Sequence, residues 1–173
     1  MTLLNDLNKN LNNSTANIKV LGVGGGGSNA VKRMYKNKIE QVEYMIFNTD
    51  SQALDTSEMA TAIKIGEKTT RGLGVGGDPS KGRECAEESR SLVRELVENS
   101  DLVFVAAGMG GGTGTGAAPI VARAAKEIGA LTVAIVTKPL ELEMRDQIAD
   151  VGLKELTDEV DSLIAIPNQK LLE

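Results

Sequence analysis

Apolar residues run along this chain in two alternating rhythms. Short blocks that are apolar at consecutive positions recur at Ile18 to Val23, Tyr44 to Asn48, Thr61 to Ile65, Leu102 to Ala107, Leu131 to Thr137 and Leu163 to Ile166. A strand covered on both faces needs that pattern. Between the blocks the apolar spacing changes to the 3.6-residue period of a helix. It does so at Ala30, Val31, Met34 and Tyr35, then at Cys85, Ala86, Ser89, Leu92, Val93, Leu96 and Val97, then from Ala117 to Ile128, and again over 144–159. Strand and helix alternating in this way predict an α/β fold, a Rossmann-like parallel sheet with helices on both faces.

Punctuation between the elements sharpens the picture. Residues 1–16, rich in Asn with scattered leucines, read as a mobile tail, and the domain is expected to span 17–173. Residues 66–82 form a long connection holding Gly72, Gly74, Gly76, Gly77 and Gly82, a length that marks a functional loop. Asp78-Pro79 reads as an N-cap and first helical residue, opening a helix to about Glu98. Arg83 with Glu87 and Arg94 with Glu98, at helical spacing, read as a solvated outer face. The chain ends at Leu171-Leu172-Glu173 just as a helical pattern begins, so truncation near the start of a further helix is expected.

Two glycine runs carry the chemistry. The first, Gly22-Val23-Gly24-Gly25-Gly26-Gly27-Ser28-Asn29, satisfies G-x-G-x-x-G after a strand and before a helix. Glycines let backbone approach a phosphate, and a helix N-terminus offers free N–H groups with partial positive charge. Alone, this run also fits a dinucleotide oxidoreductase, with Asp50 at the end of the second strand as its ribose-binding acid. The second run is Gly108-Met109-Gly110-Gly111-Gly112-Thr113-Gly114-Thr115-Gly116. It again follows a buried strand and opens a helix, building a second anion cradle at the same sheet edge. It holds no Lys or Arg, so it is not the Lys-bearing P-loop.

Composition narrows the chemistry further. The net charge of −5 and four aromatic residues oppose a nucleic-acid binder, which needs cations and stacking surfaces. There is no histidine, which excludes Ser-His-Asp and His-zinc chemistry. Cys85 is the only cysteine; acidic neighbours give it no thiolate stabilisation, and it reads as a packing residue. No secretory signal is expected, and no uncharged apolar run approaches the ~20 residues of a membrane span. The reading is a soluble, cytoplasmic protein with no direct membrane insertion.

Gly110 to Gly116 resembles the signature of the tubulin family in its FtsZ form. Gly22 to Gly27, Asn48-Thr49-Asp50, Thr70-Arg71-Gly72-Leu73-Gly74 and Leu163 to Asn168 are similar to other stretches of that family, in order, so the resemblance runs from Ile18 to Leu172. It implies a domain that binds GTP or GDP, with Mg²⁺ accompanying GTP and its ligands undetermined. By resemblance the phosphates fall to Gly25, Gly26, Gly27 and Ser28, with Asn29 reaching towards the base. A second grip comes from Gly111, Gly112, Thr113 and Gly114. Gly74, Val75, Gly76 and Gly77 would sense the γ-phosphate, and Asn168 would contact base or ribose. The family's ribose- and base-contacting Glu and Arg map to Glu143 and Arg145. That segment departs from the family pattern, so Glu141 is an alternative to Glu143. No catalytic residue is expected within these residues, because the family takes its hydrolytic loop from the next subunit. The partners implied are further copies in a head-to-tail homopolymer, together with membrane-tethering and regulatory proteins of the division ring. The localisation implied is the cytoplasmic division site. A family member that binds nucleotide without polymerising is the remaining alternative.

Overall fold

A computed structural model of the protein describes residues 16–54, 61–139 and 145–167. The expected tail, the 141–143 segment and Asn168 with the chain end lie outside them.

Six strands form one sheet: β1 (Ile18–Val23), β2 (Val42–Asn48), β3 (Ala62–Lys64), β4 (Leu102–Gly108), β5 (Leu131–Lys138) and β6 (Ser162–Pro167). All neighbours pair in parallel, in the order β3-β2-β1-β4-β5-β6. The order reverses between β1 and β4. An open α/β sheet leaves a crevice at such a point, beyond the carboxyl ends of the strands.

Helical segments connect the strands. In chain order they are α1 (Gly24–Lys36), the single turn α2 (Glu67–Thr70), α3 (Pro79–Glu88), α4 (Arg90–Val97), α5 (Thr113–Glu127) and α6 (Asp146–Thr157). A 3₁₀ turn at Ser51–Leu54 follows β2. Strand side chains alternate between two cores, as a pleat of period two requires. Val20, Tyr44, Ile46 and Ala106 pack with Val31 beneath α1. Leu21, Val23, Met45, Phe47, Val103, Val105, Ala134 and Val136 face the other way, into the larger core under α3 to α6. Helix α5 is the centre of that core, buried at Ala117, Ala118, Ile120, Val121, Ala122, Ala124 and Ala125.

The expected strands are present within two residues of their bounds, and the α/β class holds. Three expectations are corrected. The helices expected after the first glycine run, with its stripe from Ala30, and from Ala117 begin at Gly24 and Thr113, inside the glycine runs. The helix expected to run unbroken from Pro79 to Glu98 divides at Ser89, whose hydroxyl accepts the Gly66 N–H at 3.0 Å. Leu92, placed in the buried stripe, is exposed, because α4 rests on Val93 and Val97 instead. The helix charges also do more than face solvent. Arg83 pairs with Glu155 of α6, Arg94 with Glu127 of α5 at 3.5 Å, and Arg123 meets both Glu87 at 3.8 Å and Glu159 at 2.9 Å. Asp78 caps α3 as expected, accepting the Ser80 N–H at 2.9 Å. Cys85 is fully buried. That burial, and then Glu88 and Glu84, push its thiol above the ordinary value, so it is a packing residue.

Candidate functional site

The crevice at the β1–β4 reversal is a hollow of about 500 Å³. Its walls come from three directions. Gly25 and Gly26 bring the first turn of α1. Gly108, Gly111, Gly112, Thr113 and Gly114 bring the turn from β4 into α5. Asn48, Thr49 and Asp50 end β2, and the loop from Leu73 to Gly77 closes the third side.

Glycine is required where these walls meet. A Cβ on Gly27 would lie 2.1 Å from the Ala106 carbonyl oxygen, so α1 sits on β4 backbone to backbone. A Cβ on Gly112 would lie 2.4 Å from Val75 Cγ2 and 2.8 Å from the Asp78 nitrogen, so the 75–78 segment rests directly on the start of α5. At both positions another chain segment occupies the place a side chain would take, which is why helices can begin inside the glycine runs.

The electrostatics follow from how the helices begin. The first N–H groups of any helix lack an internal partner and carry partial positive charge. Helix α3, beside the hollow, satisfies its start with Asp78. Helices α1 and α5 have no side-chain cap and no acidic residue in the first turn. Their N–H groups are left for whatever enters. Among the described residues, Asp50 is the one charged side chain on the wall. Attraction for an anion therefore comes from backbone, as at other helix N-termini that bind phosphate.

The third wall is tied in by hydrogen bonds. Asn48 Oδ1 accepts from Thr49 N–H at 2.8 Å and Asp50 N–H at 3.4 Å, turning the chain out of β2. The Thr49 carbonyl accepts from Gly74 N–H at 3.2 Å. Its hydroxyl lies 2.8 Å from that of Thr113. Gly110 N–H donates to Thr115 Oγ1 at 2.8 Å, fixing the turn before α5. Further back, the Glu88 carboxylate accepts from Lys68 N–H, Thr69 N–H and the Thr69 hydroxyl at 2.8, 3.0 and 2.7 Å. These bonds, the Thr69 hydroxyl first, hold its carboxyl below the ordinary value.

Ten residues expected from sequence line this hollow: Gly25, Gly26, Gly74, Val75, Gly76, Gly77, Gly111, Gly112, Thr113 and Gly114. Gly27 and Asn29 line an adjoining cavity of about 650 Å³, with Gly26 on both walls. That cavity is apolar, walled by Met34, Tyr44, Phe104 and Ile135 among others. Ser28 is buried, its hydroxyl has no partner, and it is on neither wall. Arg145 is exposed at the start of α6, near Gly110, and also on neither wall. Glu143, its alternative Glu141 and Asn168 lie outside the described residues. Thr49 and Leu73 also line the hollow, although the sequence assigned them no contact there, as does Asp50, given a ligand role only in the oxidoreductase alternative; their position at the carboxyl end of a strand, or beside Gly74, was the available signal.

Comparison with known proteins gives a consistent result. Residues 17–173 match the model of the Tubulin/FtsZ family, GTPase domain. The cell division protein FtsZ of Coxiella burnetii is 55% identical over 159 residues, covering 91% of this chain and 41% of that protein. The FtsZ of Pseudomonas aeruginosa is 55% identical over 160 residues, with the same coverage. The chain thus spans about two fifths of the length of these curated relatives. Among solved structures, an empty FtsZ dimer of M. jannaschii superposes with a TM-score of 0.91 at 44% identity, over 97% of this chain and 50% of that one. A GTPγS-bound protofilament of CetZ2 from Haloferax volcanii superposes at 0.78 with 25% identity, over 88% and 49%.

Proposed function

This chain belongs to the Tubulin/FtsZ family, GTPase domain, and on that premise we propose that it binds GTP and GDP in the hollow between α1 and α5. One observation carries the reading: two helices start uncapped on opposite sides of a single hollow, at the point where strand order reverses. Phosphates would take the N–H groups of Gly25 and Gly26 on one side and Gly111 to Gly114 on the other. Asn29, on the adjoining apolar cavity, suits the base. The γ-phosphate would meet Gly74, Val75 and Gly76. Ser28, Glu143, Arg145 and Asn168 remain proposals from resemblance alone. Among the described residues no cluster of three potential ligands could hold a metal ion. Mg²⁺ would therefore arrive on the phosphates, with Asp50 the carboxylate on the wall among the described residues.

Hydrolysis is proposed to need a second copy. Phosphoryl transfer to water requires a positioned nucleophile as well as a charge cradle. Asp50, the one carboxylate on the wall among the described residues, already accepts the Gln52 N–H at 2.9 Å. The positioning group would come from the next subunit in a head-to-tail homopolymer. The relatives named as cell division proteins support a role at the division site; a cytoplasmic location and membrane-tethering and regulatory partners are proposed from the family resemblance alone. Among the described residues no helix is long and apolar enough to cross a membrane. The oxidoreductase alternative is not favoured, since a GTPase family claims both glycine runs.

Calorimetric titration with GTP, GDP, ATP and NAD tests the reading. Binding of GTP and GDP, with ATP and NAD at least tenfold weaker, is expected. Preference for NAD would overturn it.

A further inference from the structure

Thr49 ties two walls of the hollow together. It is 1% exposed. Its carbonyl accepts from Gly74 N–H at 3.2 Å and shares the Thr70 hydroxyl proton, at 3.3 Å, with the Gly66 carbonyl at 3.2 Å. Its hydroxyl lies 2.8 Å from the Thr113 hydroxyl, across 64 residues of sequence. Thr70 in turn accepts the Gly72 N–H at 3.2 Å. One buried residue therefore touches both the loop at Gly74 and the first residue of α5.

The hydroxyl pair has two protons and two possible orders. Thr113 could donate to Thr49, or Thr49 to Thr113. Thr113 is on the wall of the hollow. An anion there only accepts, so a Thr113 hydroxyl that spends its proton on Thr49 presents lone pairs to negative charge. The opposite order leaves the Thr113 proton free for the anion, and polarises it, since a hydroxyl that accepts a hydrogen bond donates more strongly.

We propose that Thr49 is a positioning residue for nucleotide binding: its hydroxyl donates to Thr113 and so aims the Thr113 proton at a phosphate oxygen. The inference rests on the nucleotide-binding reading of the hollow. The same residue's carbonyl sets the start of the 74–77 loop, so both phosphate-facing walls are referred to one buried point.

The test is a double-mutant cycle on the protein, read by calorimetric titration with GDP and GTP. Thr49→Val should weaken both nucleotides about tenfold, the order expected for a buried hydroxyl left without its partner. Thr49→Ser should restore binding to within about twofold, a rescue that a purely packing role of the methyl group would not give. In a Thr113→Val background, Thr49→Val should cost less than about twofold. Thr49→Ala serves as the second truncation in case valine overpacks the site, and thermal unfolding of each variant without nucleotide separates folding from binding. An equal penalty in both backgrounds, or serine no better than valine or alanine, overturns the inference. Wild-type protein that binds neither nucleotide overturns the functional reading itself, a result no variant is needed to recognise.

Discussion

The starts of α1 and α5 look alike in sequence and are held by different physics. At α1, Gly22 and Gly27 face inward, where an added Cβ would lie 2.4 Å from the Gly27 carbonyl and 2.1 Å from the Ala106 carbonyl respectively. Gly25, on the outer side of the same turn, has nothing within 4 Å of an added Cβ. One side of the turn is pressed onto the sheet and the other is open. At α5 most of the helix is buried, and the 75–78 segment and α3 lie on it. It also has a hydroxyl on the wall, that of Thr113, which α1 lacks, and a second, that of Thr115, bonded to the turn before it. The first cradle is a gap kept open by seating a helix close to a strand. The second is a socket into which a loop is already fitted. A glycine run can thus serve a ligand at one position and only packing at the next, and spacing alone does not sort the two.

The sharpest way to break this contrast is within α1. Gly27→Ala should cost about 3 kcal/mol or more, because the new Cβ meets backbone rather than a movable side chain, and lower the melting temperature by roughly 10 °C. Gly25→Ala should leave stability unchanged or raise it by up to about 1 kcal/mol, since alanine is the better helix former. It should still weaken GTP by narrowing the hollow. Thermal unfolding with parallel titration decides it; equal destabilisation by both changes would end the distinction.

A smaller effect is expected at α5. The Cβ of Gly112→Ala would meet Val75, Gly77 and Asp78 before any ligand. Displacing that segment should cost about 1–2 kcal/mol of stability. Nucleotide binding should fall by more than the stability loss accounts for, with exchange of the Gly74 amide increased. Hydrogen exchange resolved by residue would show it; a variant with weakened binding and an unchanged Gly74 amide would place the damage at the ligand instead.

The smallest effect concerns the base of the loop. Glu88 holds Lys68 and Thr69, and those bonds keep its carboxyl below the ordinary value. A lowered carboxylate stabilises the folded form above its unfolded pKa, and that contribution is lost as pH falls through the folded value. Protection of the Lys68 and Thr69 amides should therefore be full at neutral pH and fade on acidification below the ordinary range. Glu88→Gln, with one acceptor oxygen and no charge, should show weaker protection that does not vary with pH. Protection factors flat with pH in the unmodified protein would show that α2 is held by other means.

Strands were legible because apolar residues on consecutive positions, as in Leu102 to Ala107, suit a strand covered on both faces and little else of that length in an α/β chain. Helix starts were not. Glycine disfavours a helix interior by about 1 kcal/mol, so Gly24 and Gly114 read as loop. Their place in helices follows from close backbone approach, of Gly24 to Gly114 and of Gly114 to Gly108, which spacing does not reveal. Leu92 failed for a related reason: a stripe wide enough to bury it exists in sequence, but the break at Ser89 turns α4 onto Val93 and Val97. In the site, the glycine walls were legible from spacing. Thr49 was not, because its meaning lies in a hydroxyl 64 residues away.

The pairing of β1 with β4 also dates the site in the life of the chain. Asn17 and Asp101, 84 residues apart, are bonded at 2.7 Å where the two strands begin. Closing a loop of that length costs about 4 kcal/mol of chain entropy before any contact offsets it. Parallel sheets built on such distant contacts fold slowly. At a synthesis rate of ~5–20 residues per second, β1 waits roughly 4 to 17 s for β4 to exist. Through that interval the first glycine turn has neither its seat on Ala106 nor its opposite number. Nucleotide cannot guide the early chain, and it can act only once the second half of the hollow has arrived.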